Sequence, residues 1–133
     1  MLRDVYSGRL KLHGKEDRDS IKAAGNYATT LGNLKRYDEV KSLLRKTIPV
    51  ARRVLGENDD LTLTMKAIYT YALYTDPSAT LDDLRESVTT LEETTRTARR
   101  VLGGAHPQLR VYERFLRNAR AALAARETPS ANA

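Results

Sequence analysis

The hexapeptide Ala-Arg-Arg-Val-Leu-Gly occupies residues 51–56 and returns letter for letter at residues 98–103, 47 residues later in a chain of 133. Such a repeat marks either a duplicated chemical site or the end of a duplicated structural unit. Its composition favours the second. Each copy places an arginine pair and an apolar pair before a glycine, which is how an α-helix stops: glycine supplies a left-handed C-terminal residue, and cations in the last turn oppose the carbonyl end of the helix dipole. Arg52, Arg53, Arg99 and Arg100 therefore read as dipole-complementing surface charges rather than an anion site.

The chain restarts in a similar way after each of these glycines, with Glu-Asn-Asp-Asp-Leu-Thr-Leu after Gly56 and Gly-Ala-His-Pro-Gln-Leu after Gly103. Lys-Glu-Asp-Arg-Asp-Ser-Ile after Gly14 is a third version. Gly14 and Gly56 lie 42 residues apart, so the second interval of 47 carries five extra residues. These fall in the stretch 74–83, where Asp76-Pro77 breaks one helix and Thr80 with Asp83 can cap the next. A period near 42 that holds two helices is the signature of a solenoid, because one helix pair cannot bury its apolar face without a stacked neighbour.

Helix is the expected state throughout. One phenylalanine and seven tyrosines are the only aromatic residues, no segment alternates β-branched with polar residues, and Ala, Leu, Arg and Glu are plentiful. Ile21, Ala24, Ala28 and Leu31 form a stripe of helical period, as do Leu84, Val88, Leu91, Ala98 and Val101 or Leu102. The expected helices run from about Leu2 to Lys11, Asp17 to Leu34, Tyr37 to Leu55, Asp60 to Thr75, Leu81 to Leu102 and Pro107 to Arg126. Pro49 should bend the third of these without breaking it. The expected organisation is one helical repeat domain over 1–126 and a disordered tail over 127–133.

Composition limits the function classes. The hydrophobic fraction of 41% argues against disorder, and no apolar run reaches the roughly 20 residues of a membrane helix. The charged N-terminal stretch does not resemble a signal peptide, and the absence of cysteine agrees with a reducing compartment, so a cytoplasmic location with no membrane association is expected. The net charge of +6 is unevenly spread: residues 1–56 hold 13 basic against 6 acidic side chains, residues 57–97 hold 3 against 9, and residues 98–133 hold 7 against 2. A nucleic-acid domain would more usually show one continuous basic face, so nucleic acid is disfavoured as a partner.

The segment from Asn26 to Leu63 resembles the 42-residue, kinesin-light-chain type of tetratricopeptide repeat. Asn26, Ala28, Leu31, Tyr37, Asp38, Glu39 and Val40 hold places characteristic of that repeat, and His106-Pro107 supplies its His-Pro restart. The likeness covers about residues 14 to 121. Departures are Lys35 in place of the usual turn glycine, the five-residue insertion, and Arg117 where a small residue would allow tight helix contact. The resemblance implies an all-α superhelix of about two full helix-turn-helix repeats, with a leading half-repeat helix and a C-terminal capping helix.

It also implies a non-catalytic scaffold that binds a peptide or protein segment, an acidic one included, in a concave groove. Carried over by position, the groove residues are Lys22, Gly25, Thr29 and Asn33 in the first unit, Thr64, Ala67, Tyr71, Tyr74 and Thr75 in the second, and Val111, Arg114 and Asn118 in the cap. Tyr71 and Tyr74 share a helix face that Tyr69 does not. The Lys-Asn pair of carboxylate-clamp members is absent, Gly25 with Thr29 and Ala67 with Tyr71 standing in its place, and only Arg114 with Asn118 comes near it.

No enzyme signature emerges. His13 and His106 are not equivalent positions and lack further ligands at metal spacing. No glycine-rich phosphate loop or serine nucleophile motif is present, and Glu57, Asp59 and Asp60 fit the electrostatics of a helix start. No catalytic residue, metal or cofactor is expected. The alternatives to groove binding are homotypic assembly, the basic flanks of one chain meeting the acidic centre of another, and, less favoured, nucleic-acid binding by the basic flanks.

Overall fold

A computed structural model describes residues 18–127, all of whose regular structure is helical. Five helices follow one another: α1 (Arg18–Asn33), α2 (Tyr37–Leu55), α3 (Asp60–Thr75), α4 (Leu81–Leu102) and α5 (Pro107–Glu127). The expected helix over Leu2–Lys11 lies outside the described residues; of the tail expected over 127–133, Glu127 instead closes α5 and the rest lies outside the described residues. No described helix is long and apolar enough to cross a membrane. The chain divides into two compact units, with the boundary inside α3 between Tyr69 and Thr70.

In the first unit α1 packs on α2. Ile21, Ala24, Ala28 and Leu31 bury the stripe of α1, while Val40, Leu44 and Ala51 bury that of α2. Met65 of α3 reaches α1, its Cε lying 3.5 Å from where a Cβ on Gly25 would stand. Helix α2 runs on through Pro49, whose ring is exposed. Tyr69 is buried; Arg45 Nε donates to its hydroxyl at 3.2 Å, and the guanidinium lies 5.8 Å from the ring centroid.

The turn between α1 and α2 ends α1 in a Schellman motif: Arg36 N–H donates to Leu31 O at 2.9 Å and Lys35 N–H to Gly32 O at 3.0 Å. Lys35 takes the left-handed position, with φ 61°. Lys35 thus holds a conformation that glycine most often takes at a helix end.

The two Ala-Arg-Arg-Val-Leu-Gly segments adopt the same local structure. Gly56 has φ 95° and ψ 162°, and Gly103 has φ 92° and ψ 157°. These angles differ from the left-handed helical conformation expected above; they belong to a region open essentially to glycine alone. Gly56 O then accepts from Asp59 N–H and Gly103 O from His106 N–H, and the residue so placed caps the next helix. Asp59 Oδ1 accepts from Leu61 N–H at 2.9 Å, and His106 Nδ1 accepts from Gln108 N–H at 3.0 Å. His106 is thereby the positional counterpart of Asp59. Val54 and Val101 are alike too, 40% and 43% exposed. Of the repeated arginines, Arg52 pairs with Glu57 at 2.6 Å and Arg99 with Glu113, so both do more than complement a dipole.

In the second unit α4 packs along α5. Leu91, Leu116 and Ala119 form a buried cluster, with Tyr74, Val88 and Phe115 packed against it. Helix α4 opens with the expected capping box: Asp83 N–H donates to Thr80 Oγ1 at 3.1 Å and Thr80 N–H to Asp83 Oδ2 at 3.0 Å.

Candidate functional site

Four of the twelve groove candidates come together in the second unit. Tyr71 and Tyr74 lie three residues apart near the C-terminal end of α3, so they share a face, and Arg114 and Asn118 lie one turn apart on α5. Phe115 joins them. The Tyr71 and Tyr74 rings meet edge to face with centroids 5.5 Å apart and planes at 75°, and Phe115 lies 5.2 Å from Tyr71 and 6.3 Å from Tyr74. These separations are those at which aromatic quadrupoles attract. Arg114 Cζ sits 5.9 Å from the Phe115 centroid, close enough for a cation–π contact.

This aromatic edge is open on one side. Tyr71 keeps 38% of its surface exposed, a large value for an apolar ring in a cluster. Tyr74 is half-buried, and its hydroxyl forms no hydrogen bond of satisfactory geometry. Burial pushes the Tyr74 phenol up to about 12; the Asn118 amide beside it and the more distant Arg114 charge oppose that rise, and Tyr71 adds to it. The Asn118 amide is therefore near the hydroxyl without satisfying it. Tyr74 also lines a hollow of about 260 Å³ whose floor includes Ala79, Leu84, Ala122 and Ala125. Arg126 donates across its margin to Ala79 O.

The remaining candidates lie elsewhere. Lys22, Thr29 and Asn33 are exposed on α1, Thr29 Oγ1 donating to Gly25 O at 3.0 Å. Thr64 is half-buried and Ala67 is buried. Gly25 and Ala67 are both buried in this structure, and Met65 lies against Gly25. Thr75 is half-buried with its hydroxyl donating to Tyr71 O, and Val111 is half-buried on α5.

Phe115 was not among the candidates. Adjacency to Arg114 on a helix sends its ring in a different direction from a strict positional carry-over, and only the long-range approach of α5 to the end of α3 reveals it. Among the described residues no three His, Asp or Glu side chains gather as a metal site would require. The one described histidine, His106, is occupied as a helix cap. Comparisons with protein-family models, with curated proteins and with solved structures give no match to this chain.

Proposed function

We propose that the protein is a non-catalytic binding scaffold of tetratricopeptide type, which holds a segment of a partner protein against the aromatic edge formed by Tyr71, Tyr74 and Phe115. One observation carries the reading: a three-ring cluster leaves Tyr71 substantially exposed while the neighbouring Tyr74 hydroxyl is buried without a hydrogen-bond partner. Rigid aromatic rings give large contact area at small entropic cost, and a buried polar group without a partner gains when a ligand supplies one. An apolar side chain of the partner covers Tyr71, a backbone carbonyl accepts from Tyr74, and Arg114 receives a nearby carboxylate.

The test is selection from a displayed peptide library on the full chain, followed by affinity measurement with Tyr71→Ala and Tyr74→Phe. Tyr71→Ala should weaken a selected peptide by tenfold or more, on the order of 1.4 kcal/mol, and Tyr74→Phe should weaken it less while leaving the fold intact by circular dichroism. Peptides that bind both variants as well as they bind the wild type would place the binding surface elsewhere.

A further inference from the structure

The face shared by α4 and α5 holds a second feature, separate from the aromatic edge in every residue. The two helices run antiparallel, as two ion pairs show: Arg120 reaches Glu92 at 3.0 Å, and Arg99 reaches Glu113. These pairs close the two ends of a cleft of about 580 Å³. Between them, at the middle of both helical stripes, stand Arg96 and Arg117. Among the described residues neither has a carboxylate partner, whereas the cleft's other two arginines both do.

The floor between them is Leu116 and Thr95. Thr95 is more than nine-tenths buried, and its Oγ1 has no hydrogen-bond partner. A threonine in a helix usually satisfies its hydroxyl on a carbonyl of the preceding turn, as Thr47 does here on Leu43 O at 2.8 Å. Two cations left uncompensated over a buried hydroxyl with no partner form an incomplete electrostatic arrangement.

We propose that this cleft binds a phosphate group between Arg96 and Arg117, with the Thr95 hydroxyl as a third donor. A single carboxylate would leave one of the two guanidinium charges uncompensated, whereas a phosphate dianion matches both. Its several oxygens accept from two planar guanidinium forks and a hydroxyl together. The cleft's volume leaves room for the side chain that carries the phosphate.

The full chain is titrated with inorganic phosphate at constant ionic strength, so that general screening is held fixed, and followed by NMR at the Thr95 amide and the arginine Nε–H groups. Saturable binding is expected, weakened at least tenfold in Arg96→Gln, Arg117→Gln and severalfold in Thr95→Val. Arg85→Gln, outside the cleft, should bind as the wild type does. Because Arg96 and Arg117 are exposed, the double variant should remain folded with an unchanged or higher melting temperature. Absence of saturable binding, or equal binding by the double variant, overturns the proposal. A second arm uses a phosphoserine peptide beside its serine form. Binding tighter than that of inorganic phosphate identifies a phosphorylated protein as the source, and equal affinity identifies free phosphate. Tyr71→Ala should leave either result unchanged, so failure here and failure of the aromatic edge are separately visible.

Discussion

Replacing Gly25 by alanine should stabilise the protein. Gly25 lies in the interior of α1 and is buried, where glycine loses more backbone entropy on folding than alanine, a difference of about 1 kcal/mol. The sign then rests on whether the new methyl fits. Its nearest neighbour would be Met65 Cε at 3.5 Å and the next Met65 Cγ at 4.0 Å, ordinary van der Waals separations to the flexible end of a side chain. No strain offsets the entropic gain, and the added contact brings part of the ~0.8 kcal/mol of a buried methylene. A net gain of about 1 to 1.5 kcal/mol is expected, read by urea unfolding at unchanged m-value. Gly32→Ala is the internal control: a methyl there meets nothing within 4 Å, and the site is at the end of α1, so its gain should be smaller. If Gly25→Ala loses stability while Gly32→Ala does not, Met65 cannot yield and the reasoning fails. If Gly25→Ala instead abolishes peptide binding at full stability, Gly25 lines a ligand surface after all.

Four further outcomes are expected. Gly56→Ala and Gly103→Ala should each lose about 1–3 kcal/mol by thermal or chemical unfolding, since both glycines hold backbone angles that other residues adopt only under strain. Lys35→Gly should gain up to roughly 1 kcal/mol in the same assay, left-handed strain being relieved and part of the gain lost to a more flexible unfolded chain. The Tyr74 phenol is raised in the folded state, so its contribution is intact below the unfolded value near 10 and is lost as pH rises toward about 12; unfolding midpoints measured across that window should fall, and fall less in Tyr74→Phe. Glu57 is held below its ordinary value first by its hydrogen bond to the buried Lys66 at 2.9 Å, so its contribution is present above about 4.5 and fades as pH falls; Glu57→Gln should flatten that acid limb.

Helix boundaries were legible because short-range chemistry sets them. Thr80 with Asp83, Gly56, Gly103 and Pro107 each act within one turn, so α2, α3 and α4 begin and end where the sequence places them. Backbone angles were less legible: glycine at a helix end fits more than one conformation, and only the hydrogen bonds from Asp59 and His106 N–H show which turn is used. The aromatic edge was half legible. Tyr71 and Tyr74 share a face by spacing alone, but Phe115 meets them only through the approach of α5, a contact with no local signal. Gly25 and Ala67, carried into the groove by position, are buried here, since a small residue suits close helix packing as well as an open groove. For the α4–α5 cleft a signal did exist in the sequence, in the spacing of charges on the two helices, and single-helix periodicity passes over it.

That spacing has a consequence for recognition. Glu92, Arg96 and Arg99 stand at the same intervals on α4 as Glu113, Arg117 and Arg120 on α5, so antiparallel packing relates the two triplets by a local two-fold exchange. A ligand centred between Arg96 and Arg117 meets nearly the same charges after a half-turn, and charge alone cannot tell it which way to lie. The positions before the two central arginines break the equivalence, a hydroxyl at Thr95 and a methyl-bearing branch at Leu116. Polarity of the bound group, if it has one, is therefore decided by that single pair, and exchanging their identities would be expected to reverse the ligand without changing how tightly its charge is held.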